Sequence, residues 1–126
     1  MLEADVLKYP TKAITNEQRA AFFANGSLVL ESFVGNHWLK RLRHAVSESI
    51  ESARHMTENN AVYLLESGHC VDAPALRRLN NPVCHHPDFW RFASEAPMAQ
   101  LAADLCGPNV KFYHSKLNFK WPHVGH

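Results

Sequence analysis

The chain has 126 residues, of which 46% are hydrophobic and 20% charged, and its formal charge at pH 7 is +1. This composition is typical of one globular domain and excludes a disordered chain. The near-neutral charge gives no reason to expect nucleic acid as a partner. The apolar runs are too short for a membrane helix, which needs about eighteen such residues, so no membrane association is expected.

The first fourteen residues are predicted to form a leader that lies on the surface. Pro10 interrupts regular structure there, because proline lacks a backbone N–H and fixes φ. The N-terminus has neither the basic nor the apolar region of a secretory signal. Three cysteines without CxxC spacing suit free thiols in a reducing compartment. We therefore expect a cytoplasmic location.

A first helix is predicted from a capping box. Thr15 can accept a hydrogen bond from the residue three positions on, where Gln18 can reach back to the start of the helix. The helix continues through Arg19–Ala24, and Asn25-Gly26 ends it with a left-handed residue. The apolar residues of Ser27–Phe33 then predict a short buried strand.

A second helix is predicted from near Asn36, with apolar residues spaced by three or four. These residues are Leu39, Leu42, Val46, Ile50 and Ala53. Asn59-Asn60 breaks the pattern, and Ala61–Leu65 and Ala75–Leu79 are weaker strand predictions.

A third helical region is predicted to start at Pro87-Asp88, because proline suits the first position of a helix. Pro97 interrupts it, and Gly107 ends it. A long alternating strand is then predicted over Val110–Trp121.

Alternation along this last strand separates a polar, basic face from an apolar one. The first face carries Phe112, His114, Lys116, Asn118 and Lys120. The second carries Tyr113, Ser115, Leu117, Phe119 and Trp121. The pattern fits an antiparallel strand with one solvated face. It also fits a strand that lines a cleft for a small dianion, since lysine and asparagine both bind carboxylates.

Three segments resemble the phytanoyl-CoA dioxygenase family of iron(II)- and 2-oxoglutarate-dependent oxygenases. Asn25–Leu30 is similar to the family's helix-to-strand opening, and Gly107–Val110 to its turn. Lys116–Pro122 is similar to the strand that precedes the family's His-x-Asp iron ligands. The resemblance spans the chain from about Thr15 onward.

The resemblance implies an α+β fold, in which N-terminal helices support the first strands of a double-stranded β-helix (a cupin-like jelly roll). Residues 1–126 would be the N-terminal part of a single domain, truncated before the iron site. Side chains on the family's last strand approach 2-oxoglutarate, and Lys116 and Asn118 occupy the matching positions. Some members add a basic residue from an earlier strand, for which Arg78 is the nearest match.

The nine histidines also raise the possibility of a metal site. His86-Pro87-Asp88 fits His-x-Asp formally, and His114 or His126 would supply a third ligand. However, Asp88 is better explained by the dipole of the helix that it opens, and the family's metal pair follows the long strand. Cysteine–histidine spacing does not match structural zinc modules, which favours buried free cysteines and loop histidines. No metal ligand is therefore assigned in this chain.

Taken together, the sequence predicts the N-terminal fragment of an Fe(II)/2-oxoglutarate-dependent dioxygenase that hydroxylates a small-molecule or acyl substrate. The cofactors belong to the parent enzyme, and neither is expected to bind this chain tightly, so the fragment alone should be inactive. The alternative is a non-catalytic helical binding or interaction domain, or an inactive remnant of the family. A His-x-Asp pair encoded downstream in frame would favour the enzyme.

Overall fold

Helices make up most of the regular structure, and a small antiparallel sheet makes up the rest. The computed structural model describes residues 3–95 and 97–122. The helices of these residues are α1 (Glu3–Val6), α2 (Asn16–Asn25), α3 (Asn36–Ser52), α4 (Pro87–Ser94) and α5 (Met98–Cys106). The strands are β1 (Tyr63–Leu65), β2 (Leu76–Asn80) and β3 (Lys116–Asn118), and a 3₁₀ turn covers Pro82–Cys84.

The predicted capping box at the start of α2 is confirmed. The Thr15 hydroxyl accepts a hydrogen bond from the backbone N–H of Gln18 at 3.2 Å. The Gln18 side chain accepts one from the backbone N–H of Thr15 at 2.9 Å. Gly26 ends the helix with φ of 73°, a conformation that most side chains disfavour. Local sequence therefore determines both ends of this helix.

The chain divides into two compact units, the first of which comprises residues 1–36 and 91–112. In this unit α5 contacts α1 and α2. The predicted surface leader is wrong in part, because Val6 and Ile14 are buried. Its anchor is Asp104 of α5, a carboxylate that is only 3% exposed. Two kinds of interaction therefore hold the leader in this unit: burial of its apolar side chains and hydrogen bonds from its backbone amides.

Asp104 binds three consecutive backbone amides of the leader. Its Oδ2 accepts hydrogen bonds from the N–H of Lys12 at 2.9 Å, of Ala13 at 2.7 Å and of Ile14 at 3.2 Å. The N–H of Lys12 also lies 2.9 Å from Oδ1. A buried carboxylate is stable only when such donors replace its hydration.

The second unit comprises residues 37–90 and 113–126 and contains the sheet. Its strands are ordered β1-β2-β3, and both neighbouring pairs are antiparallel. The core consists of Ala45 from α3, Leu79 from β2 and Phe89 from α4. Partly buried residues that pack against this core are Leu42, Val46, Val62, Tyr63, Val83, Leu117 and Phe119. The two weaker strand predictions are thereby confirmed as β1 and β2.

The predicted buried strand at Ser27–Phe33 is wrong. Residues 27–30 form no strand, a turn follows at Glu31, and Val29 is 83% exposed. Apolar composition favours an extended chain, but a strand forms only where a partner satisfies its backbone groups. In the described ranges this segment pairs with no strand.

The long strand predicted over Val110–Trp121 is also wrong in length, since pairing is confined to Lys116–Asn118. Those three residues pair with Arg78–Asn80, and the N–H of Phe119 adds a bond to the carbonyl of Arg77 at 3.1 Å. β2 ends at Asn80, opposite Lys116, so it offers no strand partner to the residues that precede β3. Val110, Phe112 and Tyr113 are exposed outside the sheet.

Helices and a three-stranded antiparallel sheet agree with the α+β prediction. The double-stranded β-helix stays a prediction, because three strands do not define a barrel. Among the described helices, none combines the length and the apolar character required to cross a bilayer.

Replacement of Asp104 by alanine should lower the free energy of unfolding by about 3 kcal/mol, because three amides lose a charged acceptor. Asp5→Ala is the control, since Asp5 pairs with Lys8 on the surface and such pairs contribute at most about 1 kcal/mol. Urea unfolding followed by circular dichroism measures both variants. Equal losses would contradict the anchoring role of Asp104.

Candidate functional site

Four polar side chains lie together on one face of the β2–β3 pair, and we call them the polar row: Arg78, Asn80, Lys116 and Asn118. Arg78 is directly opposite Asn118 in the register, and Asn80 is opposite Lys116. Residues directly opposite each other in antiparallel strands share a face, with Cβ atoms about 5 Å apart. The sheet therefore brings together the three predicted cosubstrate residues, Lys116, Asn118 and Arg78.

The core determines that the polar row faces outward. Leu79 is opposite Leu117 in the register, and both belong to the apolar cluster of the second unit. The predicted alternation is confirmed from Lys116 onward, where Leu117, Phe119 and Trp121 are less exposed than Lys116, Asn118 and Lys120. Because the side-chain period of a strand is two, burying Leu117 turns both of its neighbours outward.

The end of the strand is fixed by aromatic side chains. The rings of Phe119 and Trp121 stack with 6.1 Å between centroids and 9° between planes. The indole N–H of Trp121 donates a hydrogen bond to the carbonyl of Leu76 at 2.8 Å. These contacts hold the segment after β3 against β2.

A β-bulge lies beside Arg78. The partners of Leu64 and Leu65 in β1 are Arg78 and Leu76, so Arg77 is an extra residue in β2. Leu76 and Leu79 are three apart and would face opposite sides of a regular strand, yet both are fully buried. The bulge makes this possible and leaves Arg77 exposed. Bulges are common beside functional sites, where they redirect a side chain.

Arg78 and Asn118 are joined by a direct hydrogen bond. The Nε of Arg78 donates to Oδ1 of Asn118 at 2.9 Å. Lys116 is two residues from Asn118 and therefore diagonal to Arg78, at roughly 7–8 Å between backbones. Both long cationic side chains can reach a ligand placed over the row. The sequence left the register of Arg78 open, and the structure places it opposite Asn118.

An open hollow of about 490 Å³ adjoins one end of the polar row. Its lining residues are Ala61, Asn80, Asn81, Tyr113, His114, Ser115 and Lys116. This lining contains no acidic side chain, and Lys116 carries a positive charge. The N–H of Asn81 donates to the carbonyl of Ser115 at 2.9 Å, which closes the β2–β3 pairing beside the hollow. The surroundings of Lys116 therefore favour an anionic group.

Sequence reasoning missed Asn80 and Asn81. Asn80 lies two residues after Arg78, so alternation along β2 places both on the same face. Its amide nitrogen donates to the carbonyl of Ala61 at 3.0 Å. Asn81 has φ of 47°, a left-handed conformation that asparagine tolerates better than most residues. Alternation alone would have identified Asn80, whereas the turn at Asn81 depends on the pairing of β2 with β3.

The histidine and aspartate that formally match His-x-Asp have other partners. Nε2 of His86 is 2.8 Å from a carboxylate oxygen of Glu48, and Nδ1 accepts a hydrogen bond from the N–H of Asp88 at 3.1 Å. Asp88 forms an ion pair with Arg41. These contacts join the start of α4 to α3.

Within residues 3–95 and 97–122, no three His, Cys, Asp or Glu side chains form a group that fits a metal ion. His114 belongs to the lining of the hollow, and His126 lies outside the described residues. Cys70, Cys84 and Cys106 are free thiols, as predicted, but they are exposed, so the prediction that they are buried is wrong.

The chain is similar to a curated protein of Stutzerimonas stutzeri described as a probable alpha-ketoglutarate-dependent hypophosphite dioxygenase. The two are 24% identical over 106 residues, which cover 84% of this chain and 37% of the relative. The chain thus spans little more than a third of the relative's length. No family model matches the chain, and no solved structure matches it. The similarity indicates a relationship to 2-oxoglutarate-dependent oxygenases, and membership of the phytanoyl-CoA dioxygenase family stays a prediction.

The two faces of β3 should respond differently to truncation. Leu117→Ala should lower the free energy of unfolding by about 2–3 kcal/mol, because it removes a core contact. Lys116→Ala should change it by less than about 0.5 kcal/mol, because the lysine is exposed. Chemical denaturation of both variants measures the difference. A larger loss for Lys116→Ala would mean that the faces are reversed.

Proposed function

We propose that the chain is the N-terminal part of an Fe(II)/2-oxoglutarate-dependent dioxygenase. The observation that carries this proposal is the polar row, where Arg78, Lys116 and Asn118 lie on one outward face. The resemblance implies cosubstrate contacts at these same positions. The similarity to a protein described as a probable alpha-ketoglutarate-dependent hypophosphite dioxygenase also supports this cosubstrate.

The donor set of the polar row fits a dicarboxylate. Arginine presents a planar fork of N–H donors, lysine a compact charge, and asparagine an amide. The row itself contains no acidic side chain that would compete for these donors. Diagonal placement of Arg78 and Lys116 allows both to contact one small anion. In this proposal the chain's own residues bind and orient 2-oxoglutarate before the reaction.

The described residues do not supply an iron site, so the proposal assigns the metal ligands to sequence that follows β3 in the parent enzyme. Iron held by those ligands and 2-oxoglutarate held by the polar row would together supply the oxygen-activating chemistry of such enzymes. Residues 1–126 would then be part of a single domain, in which β2 and β3 belong to a double-stranded β-helix. The phytanoyl-CoA dioxygenase family remains our proposed family.

The relative is named for hypophosphite. For this chain we propose a small-molecule or acyl substrate that the oxygenase hydroxylates. A cytoplasmic enzyme with no nucleic-acid or membrane partner completes the proposal. The near-neutral charge of the chain supports the absence of a nucleic-acid partner.

Iron(II) should bind the chain of 126 residues weakly, because no described group supplies three ligands. Anaerobic calorimetric titration measures the affinity, and His86→Ala is the informative variant. A tight, stoichiometric site that disappears in His86→Ala would contradict the proposed downstream ligands. It would also assign the metal to the pair formed by His86 and Asp88.

Extending the coding sequence past codon 126 gives the complete protein, on which a kinetic test can be made. The proposal expects an in-frame His-x-Asp pair and 2-oxoglutarate turnover by the complete product. Lys116→Ala and Asn118→Ala should each raise the KM for 2-oxoglutarate roughly ten- to hundredfold. Lys116→Ala loses a bond to a carboxylate, Asn118→Ala loses the bond to the charged Arg78, and a bond to a charged group is worth about 1.5–3 kcal/mol.

Ser115→Ala and Tyr113→Phe are the matched controls, since neither residue belongs to the polar row. They should leave the KM for 2-oxoglutarate nearly unchanged. A rise in KM for these controls, without one for the Lys116 and Asn118 variants, would show that the adjoining hollow, which Tyr113 and Ser115 line, binds the cosubstrate in place of the polar row. A stop codon after codon 126 would instead favour a non-catalytic binding domain or an inactive remnant.

A further inference from the structure

We propose that Asn118 is a positioning residue, which acts on the cosubstrate by orienting Arg78. This inference rests on the proposed function. It gives Asn118 a different role from Arg78 and Lys116, which would contact the cosubstrate directly. The hydrogen bond from Arg78 Nε to Asn118 Oδ1, at 2.9 Å, carries it. A guanidinium nitrogen only donates, so this bond also fixes which way the amide points.

Among the described residues, the hydrogen bond of the Arg78 side chain uses Nε and leaves the two Nη nitrogens available for a carboxylate. The Nε atom faces Asn118, while the two Nη nitrogens are the end of the fork that binds a carboxylate bidentately. In the described part of the chain, no ion pair involves Arg78. An asparagine can hold an arginine without neutralising it, whereas an acidic residue at the same position would cancel the charge that attracts the ligand.

The backbone prepares this arrangement before any ligand binds. Arg78 and Asn118 are direct cross-strand partners, and the neighbouring pair of the buried Leu79 and the partly buried Leu117 fixes their strands in the core. A free arginine side chain has many rotamers, and ordering it on binding costs conformational entropy. Asn118 is short and has few rotamers, so its hydrogen bond can restrict the rotamers of Arg78 before a ligand binds. The adjoining bulge at Arg77 also keeps Arg78 on the outward face.

Two experiments on the chain of 126 residues test this role. The first follows the Nε–Hε signal of Arg78 in ¹H–¹⁵N NMR spectra without ligand. Asn118→Ala should shift this signal and speed its exchange with water, because the acceptor is lost. Asn80→Ala is the matched control, since it removes the other amide of the polar row and should leave the signal in place. An unchanged signal in Asn118→Ala would overturn the proposal.

The second experiment is a double-mutant cycle on the dissociation constant for 2-oxoglutarate, measured by NMR titration. Asn118→Ala should weaken binding about tenfold when Arg78 is present, and less than twofold in the Arg78→Ala background. Such non-additivity is expected when one residue acts through another. Lys116→Ala should weaken binding by a similar factor in both backgrounds.

The outcomes separate the two proposals. Equal effects of Asn118→Ala in both backgrounds would show an independent contact with the cosubstrate and would overturn only the positioning role. If 2-oxoglutarate at tens of millimolar leaves the wild-type signals of the polar row unchanged, both the proposed function and the positioning role fail. Retention of the native amide pattern in each variant distinguishes these results from unfolding.

Discussion

Burial of Leu79 against Leu117 is the constraint on which the candidate site depends. This pair belongs to the core that α3 and α4 cover with Ala45 and Phe89. Since successive side chains of a strand alternate, the buried pair turns Arg78 and Asn118 toward the outside. A register slip by one residue would move the polar groups into the core, where unpaired charges are unfavourable. The hydrophobic core thus specifies the face that the polar row occupies.

Local signals in the sequence predicted local structure well. Three such signals are the capping box at Thr15, the left-handed Gly26 and the proline at the start of α4. Each depends on contacts within a few residues, so the neighbouring sequence is enough to predict it. Leu117, Phe119 and Trp121 likewise alternate with polar neighbours as predicted. Alternation separated the two faces of the last strand, and the family resemblance indicated Lys116, Asn118 and Arg78 as site residues.

Features that depend on distant partners were predicted less well. The segment Ser27–Phe33 has strand composition without a strand partner, and β3 is shorter than its alternating pattern because β2 limits the pairing. The anchoring of the leader by Asp104 joins residues about ninety positions apart, which no short motif encodes. The bulge at Arg77 is visible in the sequence only as two leucines three apart, a spacing that periodicity assigns to a helix.

Arg78, Lys116 and Asn118 concentrate positive charge and amide donors on a small outward face. The sheet fixes this face before ligand binding, as an efficient binding site requires. We propose that this face binds a carboxylate of 2-oxoglutarate. Titration of the ¹⁵N-labelled chain with 2-oxoglutarate tests it most directly. We predict saturable shifts centred on Arg78, Lys116 and Asn118, which Arg78→Ala weakens strongly. Shifts centred elsewhere, or unaffected by that substitution, would contradict the claim.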